Sequence, residues 1–404
     1  MRVLIADQFE SWGIDKLRES GCEVAFEPKL DGDALRDAIV RTRCAVLIVR
    51  GTKITEPMLS AGDALSLVVR AGAGYNTIDV AAASQRSILA ANCPGKNSIA
   101  VAELTFGLIL ALDRRIVDNT VELRNGRWNK KEFSKARGLK GRTLGIVGLG
   151  EIGQAVARRA RAFEMRVAAW SRSLTAERAE EPDVIRCESP AEVASKCDIL
   201  TIHLAAAPET KNIINADVLN RLAPGSYVIN TARADVVDYK ALAVAVKDRH
   251  LRVALDVYPD EPSGGEAVFR AAVLEAGGVV YGTHHIGAST DQAQDAIANE
   301  TVRIVQEYMQ TGRVFNCVNL AAKSRARYVI VVRHRNQPGV LAHTLNEISH
   351  AGVNVEEMDN VICEGGESAC ARIKLAAPLD DALLKRIYEG NENIFGVGLY
   401  RVKD

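Results

Sequence analysis

The feature that most constrains this chain is a run of three spaced glycines, Gly148-Leu-Gly-Glu-Ile-Gly153, between the apolar run Thr143–Val147 and a predicted helix. In that setting Gly148 permits a tight turn, Gly150 lets the backbone approach a pyrophosphate, and Gly153 allows close packing of helix on strand. The start of the helix offers unpaired N–H groups and a partial positive charge to the anion. The motif therefore predicts a dinucleotide site made by Gly148, Gly150, Glu151, Ile152 and Gly153.

Short apolar runs alternate with helical patterns on both sides of this motif. From the motif onward, six strand-like runs extend from Thr143–Val147 to Val279–Tyr281, which predicts a doubly wound parallel sheet. Before it, runs such as Val3–Ala6 and Ala45–Val49 alternate with amphipathic stretches, and residues 95–125 follow a helical pattern. We therefore expect an α/β protein with two doubly wound parallel-sheet domains.

The order of these patterns divides the chain into three predicted domains. Residues 98–284 form the predicted Rossmann domain for the dinucleotide, while residues 1–97 and 285–318 together form a flavodoxin-like substrate domain. Residues 319–327 are a predicted linker. Residues 328–404 follow the order βαββαβ, which is typical of a small ferredoxin-like domain.

The residues after Trp170 bear on which dinucleotide is bound. Trp170 ends the second predicted strand of the Rossmann domain, where a fold that prefers NAD usually carries Asp or Glu to hold the ribose 2′-hydroxyl. This chain carries Ser171 and Arg172 there. No carboxylate repels a 2′-phosphate, and a guanidinium is available to pair with it. Both NAD and NADP therefore stay open as the cofactor.

Three polar segments follow the ends of later predicted strands, namely Asn230–Asp235, Asp256–Pro262 and Thr283–Thr290. Ligands of open α/β sheets bind beyond the carboxyl ends of the strands, so an Arg, a Glu and a His from these segments can converge. Hydride transfer to a ketone leaves an alkoxide that needs a proton, and a histidine supplies one near neutral pH. An arginine can clamp a neighbouring carboxylate and polarise the carbonyl.

These segments resemble three motifs of the D-2-hydroxyacid dehydrogenase family, N-[TA]-x-R-G, D-V-[FY]-x-x-E-P and P-H-[IL]-G. The resemblance implies that Arg233, Glu261 and His285 carry catalysis. It also implies that Asp256 holds the nicotinamide carboxamide, and that the cofactor is bordered by Thr231 and Gly287 as well.

This chain departs from the family motifs at two positions. Ala234 stands where the family has glycine, and His284 stands where it has proline. The second departure places two histidines side by side. The position relative to Ile286 and Gly287 favours His285 as the catalytic one and His284 as a structural residue.

The substrate loops resemble the branch of the family that oxidises 3-phosphoglycerate. The resemblance covers Val69–Asn76 and Asn92–Ser98 and implies that the N–H groups near Ala73 and Gly74 hold the substrate carboxylate while Arg50 faces a phosphate. The implied reaction interconverts 3-phosphoglycerate and 3-phosphohydroxypyruvate in L-serine biosynthesis. One alternative is an NADPH-dependent reductase of glyoxylate or hydroxypyruvate. A more remote one is a dinucleotide-sensing protein resembling the co-repressors of this family.

The predicted C-terminal domain resembles an ACT domain, a regulatory module of amino-acid metabolism. The resemblance rests on the run His334–Leu341 followed by Gly352-Val-Asn354. It implies that His334, Asn336 and Asn354 bind L-serine across a dimer of such domains. The asparagines are equally explained as turn residues, and another amino acid or a role in assembly alone also stays open.

Charge and hydropathy argue against other classes of partner. The chain has 51 basic and 51 acidic residues, so no global field attracts nucleic acid or an anionic membrane. The apolar stretch over residues 101–112 contains Glu103 and is too short to span a bilayer. We expect it to pair with its counterpart in a homodimer, or within a homotetramer.

The eight cysteines lack metal-site spacing, and with no leader pattern we expect a cytoplasmic protein without a metal.

Overall fold

The structure is a computed structural model that describes residues 1–172, 174, 184–262, 266–321 and 324–402. The chain divides into two compact units, Met1–Asn319 and Leu320–Asp404. The larger unit contains two parallel sheets, and the smaller one contains an antiparallel sheet.

The first sheet is parallel and has the strand order β2-β1-β3-β4-β5. This is the flavodoxin-like order, as predicted. Strand β2 was missed because it lies at the edge with both ends exposed, and so lacks the continuous apolar run of strands buried on two faces. The elements are β1 (Arg2–Ile5), α1 (Ser11–Glu19), β2 (Glu23–Phe26), α2 (Gly32–Thr42), β3 (Val46–Val49), α3 (Glu56–Ala61), β4 (Leu67–Arg70), α4 (Val80–Gln85) and β5 (Leu89–Asn92).

Helices α5 (Ser98–Arg114), α6 (Ile116–Arg124) and α7 (Lys130–Phe133) follow. The sequence predicted one helix over residues 95–125, but Arg115 adopts a left-handed conformation (φ 50°) and separates α5 from α6. Tertiary contacts hold it there, since its guanidinium pairs with Asp118 and Glu132.

The predicted pairing of residues 101–112 with a second copy needs correction. Those residues lie in α5, and their apolar side chains are largely buried within their own chain, for example by the stacking of Phe106 on Phe163 at 5.2 Å between ring centroids. Every residue of α6, in contrast, is exposed or half-buried.

The second sheet is parallel, with the order β12-β11-β10-β9-β6-β7-β8. Counted outward from β6 this is the doubly wound Rossmann order, which confirms the prediction. The sequence missed β8, a three-residue strand at the edge. The elements are β6 (Thr143–Val147), α8 (Glu151–Ala162), β7 (Arg166–Trp170), β8 (Val184–Arg186), α9 (Pro190–Lys196), β9 (Ile199–Ile202), α10 (Ala216–Arg221), β10 (Tyr227–Asn230), α11 (Tyr239–Arg249), β11 (Arg252–Leu255) and β12 (Val280–Gly282).

The chain then returns to the first sheet through α12 (Asp291–Thr311). The indole of Trp12 on α1 donates to Asp295 on α12 at 2.9 Å, and buried residues of α12 pack in the core of the first sheet. The following segment is pinned to β5, because the Val318 N–H donates to the Ala90 carbonyl at 2.8 Å.

The smaller unit is a four-stranded antiparallel sheet with the order β14-β15-β13-β16. Two helices cross it in the order βαββαβ, as predicted. The elements are β13 (Tyr328–Arg335), α13 (Val340–His350), β14 (Val355–Ile362), β15 (Ser368–Leu375), α14 (Asp381–Glu389) and β16 (Ile394–Arg401).

The described ranges lack two further features, a membrane-spanning helix and a cluster of metal-binding side chains. In those ranges no helix is both long and apolar enough to cross a membrane. The same ranges hold no group of three or more His, Cys, Asp or Glu side chains placed to bind a metal ion.

Candidate active site

His285 and Glu261 form a close pair beyond the ends of β12 and β11. The Nδ1 atom of His285 lies 2.7 Å from Oε2 of Glu261, and the N–H of Tyr258 donates to Oε1 of the same carboxylate at 2.6 Å. The carboxylate is therefore held at both oxygens and fixes the orientation of the ring, which keeps Nε2 as its second proton site. The adjacent His284 is exposed.

The surroundings favour the charged form of Glu261. Burial alone would raise the pKa of Glu261, but the hydrogen bonds from His285 and the Tyr258 N–H, with the nearby charge of Arg233, hold it below the ordinary value. His285 itself has a left-handed backbone with a φ of 53°, an uncommon conformation for a residue other than glycine. Such strain is typical of functional sites when the surroundings hold it in place.

Asp256 holds the loop that carries His285. Its buried carboxylate accepts hydrogen bonds from the Thr283 hydroxyl at 2.5 Å and from the N–H groups of Ile286 and Gly287, each at 2.9 Å. Because three donors from one loop converge on it, Asp256 determines the path of residues 283–287. Contact of Asp256 or Gly287 with a nicotinamide stays a prediction.

Arg233 lies on a turn that is built by Asn230. The Asn230 side chain donates to the Arg233 carbonyl at 2.9 Å and accepts from the Ala232 N–H at 3.0 Å. Burial lowers the pKa of Arg233, and the charge of Glu261 opposes this effect. The hydroxyl of the predicted cofactor residue Thr231 is bonded instead to Thr105 on α5, at 3.0 Å.

The predicted substrate loop lies against Arg233. A side chain at Gly74 would overlap the Arg233 guanidinium, so the two groups are in direct contact. Asn92 fixes the neighbouring part of the loop, because its amide donates to the Ala73 carbonyl at 2.5 Å. The structure thus brings Gly74 against Arg233, with Ala73 beside it in the loop, and the roles of Ala73 and Gly74 stay predictions.

Three arginines share this edge of the larger unit, and one of them was missed by sequence reasoning. The pKa of Arg70 is lowered to about 10, first by burial and then by the positive charges of Arg233 and Arg50. Burial likewise lowers the pKa of Arg50, against the charges of Asp7 and Glu10. The sequence did carry a signal for Arg70. Arg70 is the last residue of the buried strand β4, which pairs with β3, the strand that Arg50 follows.

The loop that begins at Arg50 is organised by Asp7, which follows β1. One oxygen of the Asp7 carboxylate accepts from the N–H groups of Arg50, Gly51 and Thr52, at 2.6, 3.0 and 3.1 Å. The other oxygen accepts from the Thr52 hydroxyl at 2.9 Å. The position of Arg50 is therefore fixed from the backbone.

The glycine-rich turn fits a dinucleotide. A side chain at Gly148, where φ is 102°, would overlap the His203 carbonyl, and one at Gly153 would overlap the Gly148 carbonyl. A side chain at Gly150 would instead project into open space ahead of α8, the space that a pyrophosphate needs.

The other predicted cofactor residues surround that turn. Glu151 and Ile152 begin α8, and a carboxylate oxygen of Glu151 lies 2.9 Å from the position a Cβ would take on Gly95. Beyond the end of β7, Ser171 is half-buried and Arg172 is exposed.

The three predicted effector residues do not form one cluster within the smaller unit. His334 is 1% exposed, and its ring nitrogens face the Arg335 carbonyl at 2.8 Å and the Asn360 amide oxygen at 3.1 Å. Asn336 donates to the Gly366 carbonyl near that end of the sheet. Asn354 precedes the opposite end, where Val355 and Tyr328 flank the same residue of β15. Six residues of strand, a length of about 20 Å, separate the two ends.

Comparison with known proteins places this geometry in a family. The sequence profile described as "D-isomer specific 2-hydroxyacid dehydrogenase, NAD binding domain" matches residues 106–287. The match includes the glycine-rich turn together with Arg233, Glu261 and His285.

Three individual proteins illustrate the relationship. The D-3-phosphoglycerate dehydrogenase of Methanocaldococcus jannaschii is 35% identical over 79% of this chain, which spans about 60% of that relative's length. The D-3-phosphoglycerate dehydrogenase of Mycobacterium tuberculosis is 32% identical, and the match covers 94% of this chain and 71% of that one. The crystal structure of NAD+-bound 3-phosphoglycerate dehydrogenase from Entamoeba histolytica superposes with a TM-score of 0.66 and 27% identity, covering 79% of this chain and 99% of that one. The chain belongs to the D-isomer specific 2-hydroxyacid dehydrogenase family and contains the family's NAD binding domain.

Proposed function

We propose that this chain transfers a hydride between a nicotinamide dinucleotide and a phosphorylated D-2-hydroxyacid, 3-phosphoglycerate, yielding 3-phosphohydroxypyruvate. The observation that carries the proposal is the cluster of Arg50, Arg70 and Arg233 beside the Glu261–His285 pair. Buried like charges are costly, and the carboxylates near Arg50 and Arg233 do not outweigh the burial that lowers the pKa of each arginine. A substrate that carries both a carboxylate and a phosphate supplies that counter-charge, which a small monoanion such as glyoxylate does only in part.

The residues divide the chemistry among them. A bound dinucleotide would supply or accept the hydride at the substrate C2 atom. Arg233 holds the α-carboxylate and polarises the C2 oxygen, and Arg50 and Arg70 bind the phosphate. In the direction of reduction, Nε2 of His285 gives its proton to the C2 oxygen. Glu261 stabilises the imidazolium before that transfer and keeps the ring oriented.

The phosphate assignment is tested by the variant Arg70→Gln. A hydrogen bond to a charged group contributes about 1.5–3 kcal/mol, so we expect kcat/KM for 3-phosphohydroxypyruvate to fall about 10- to 150-fold. The value for hydroxypyruvate, which has no phosphate, should change less than about threefold. A matched control is Arg86→Gln, because Arg86 lies before the start of β5, whereas Arg50 and Arg70 lie at the ends of their strands, and it pairs with Glu56. Equal losses for both substrates would contradict the assignment.

The exposed arginine after β7 favours NADPH as an alternative cofactor. Arg172 is exposed and follows β7, where a guanidinium can pair with a 2′-phosphate. If NADPH is the working cofactor, Arg172→Ala raises its KM about tenfold or more while that for NADH is unchanged. In that case a glyoxylate or hydroxypyruvate reductase becomes the second candidate function.

The proposal includes a homodimer formed through α6. The α6 side chains of Ile116, Val117, Val121 and Leu123 are 45–55% exposed, and Trp128 just beyond is 81% exposed. An apolar patch of this kind is characteristic of an interface, and a second copy is the occupant that the family resemblance favours. We expect sedimentation to give the dimer mass or a multiple of it, and Val121→Glu to give the monomer mass. Val244→Glu alters a similarly exposed valine on α11 and should leave the mass unchanged. A monomeric parent protein would contradict the proposal.

The proposal also includes regulation by L-serine at a site shared between two copies of the smaller unit. The support is the ACT-like order of elements together with the location of His334 and Asn354 at opposite ends of the sheet, since two antiparallel copies would bring those ends together. We expect calorimetry to detect binding of L-serine, a lower turnover rate in its presence, and loss of both effects in Asn354→Ala. No heat and no change in rate at millimolar L-serine would contradict this part.

A further inference from the structure

Tyr239, the first residue of α11, connects the two loops that carry Arg233 and Glu261. Its hydroxyl donates to the Val257 carbonyl. The same hydroxyl accepts a hydrogen bond from the Asn230 side-chain amide at 3.4 Å. Asn230 in turn builds the turn of Arg233 through the Arg233 carbonyl. One phenol group therefore joins the segment after β10 to the segment after β11.

The peptide group between Val257 and Tyr258 extends this connection to the acid–base pair. Its carbonyl accepts from Tyr239, and its N–H donates to Oε1 of Glu261 at 2.6 Å. A peptide unit is planar, so a bond that fixes the carbonyl also fixes the direction of the N–H. Oε2 of Glu261 then holds His285 at 2.7 Å. Bonds in such a chain polarise one another, which strengthens each of them.

The environment keeps Tyr239 a hydrogen-bond donor. Burial raises the pKa of the Tyr239 phenol above its ordinary value, and the negative charge of the neighbouring Glu261 adds to this effect. The phenol is protonated throughout the pH range in which the enzyme would be assayed. Its proton is directed at the Val257 carbonyl at every pH in that range.

We propose that Tyr239 is a positioning residue for the acid–base pair, aligning Glu261 and His285 through the Val257–Tyr258 peptide and linking them to the turn of Arg233. The inference rests on the proposed hydride transfer for its activity readout. It predicts that loss of one hydroxyl group alters the chemical step and leaves cofactor binding intact.

The test compares Tyr239→Phe with Tyr227→Phe. Both variants remove one phenol hydroxyl, but Tyr227 begins β10 at the opposite end of the strand from Asn230, where its hydroxyl donates to Asp113 at 3.0 Å. For Tyr239→Phe we expect kcat with 3-phosphohydroxypyruvate and NADH to fall about 5- to 10-fold, the equivalent of one lost hydrogen bond, with the KM for NADH within about twofold. The alkaline limb of its pH profile should move to lower pH. Tyr227→Phe should lower the thermal midpoint and keep the parent kcat and pH profile.

A second readout does not depend on turnover. Diethyl pyrocarbonate modifies neutral imidazole, and peptide mass spectrometry reports its rate at His285 relative to the exposed His250. The Glu261 carboxylate covers Nδ1 of His285, so a less firmly held Glu261 leaves that nitrogen more open to the reagent. This ratio should rise about two- to fivefold in Tyr239→Phe, the equivalent of one weakened hydrogen bond, and stay constant in Tyr227→Phe. An unchanged ratio, or a parent-like kcat and pH profile in Tyr239→Phe, would overturn the inference. Failure of the parent protein to turn over 3-phosphohydroxypyruvate would refute the proposed function alone, and the modification ratio would then decide the role of Tyr239.

Discussion

Replacing Glu261 by glutamine keeps the shape of the side chain and changes the charge that His285 meets. In the parent protein one carboxylate oxygen accepts from Tyr258 at 2.6 Å and the other lies 2.7 Å from Nδ1 of His285. In Glu261→Gln the amide oxygen can keep the bond to Tyr258, so the NH2 group faces Nδ1. That arrangement requires an unprotonated Nδ1 and removes the counter-charge of the imidazolium.

The expected loss follows from these contacts. A hydrogen bond to a charged group contributes about 1.5–3 kcal/mol, which corresponds to a kcat about 10- to 150-fold lower. The side chain of Glu261 is 29% exposed, so solvent screens the interaction only in part. The KM for NADH should be unchanged, because in the described part of the chain none of the Glu261 contacts reaches the glycine-rich turn.

The assay is the steady-state reduction of 3-phosphohydroxypyruvate across pH 5–9, following the loss of NADH absorbance. Without the carboxylate, the protonated ring is less stable, so the alkaline limb of the profile should move to lower pH. Asp260→Asn is the matched control. Asp260 is exposed and adjacent to Glu261, and asparagine tolerates the left-handed backbone conformation of this position. A Glu261→Gln variant with the parent kcat and pH profile would refute this account of the pair.

Three further predictions concern other parts of the larger unit. In Gly74→Ala the new methyl group displaces the guanidinium end of the Arg233 side chain and no backbone, so the protein should fold normally. We expect kcat/KM for the oxoacid to fall about 10-fold or more at unchanged affinity for NADH, measured by fluorescence titration. In Asp113→Ala the buried Arg142 loses its counter-charge, and denaturant titration should show about 3–5 kcal/mol lower stability with the active-site geometry intact. The pKa of Glu300 is held below its ordinary value first by the hydrogen bond from Arg303, with further bonds from Lys96 and Asn316. A depressed folded pKa contributes stability that is complete above the unfolded value of about 4.3 and is lost as the pH falls through the folded value, so the thermal midpoint of Glu300→Gln should depend less on pH below about 4 than that of the parent protein.

The sequence predicted the architecture well because most strands of the two parallel sheets are buried and appear in the sequence as continuous apolar runs. The features that it missed are those with weak local signals. Strands β2 and β8 lie at sheet edges, where partial exposure removes the continuous apolar run. The break between α5 and α6 occurs at an arginine, and only its contacts with Asp118 and Glu132 explain it.

The candidate site shows the same division between local and tertiary information. Arg233, Glu261 and His285 follow the ends of neighbouring strands, so the topology alone predicts that they meet. Arg70 gave only the ordinary signal of a charged residue at a strand end, and its meaning depends on the nearby charges of Arg50 and Arg233. The position of Tyr239 between two loops cannot be read from its place at the start of a helix, because it depends on the pairing of β10 with β11.

The central claim is that the arginine cluster selects a phosphorylated 2-oxoacid. The most direct measurement is the ratio of kcat/KM for 3-phosphohydroxypyruvate to kcat/KM for hydroxypyruvate, with the purified parent protein and saturating NADH. Two charge-assisted contacts to the phosphate at about 1.5–3 kcal/mol each predict a ratio of at least about 100. A ratio near one, or faster turnover of hydroxypyruvate, would contradict the account and would leave Arg50 and Arg70 without a phosphate to bind.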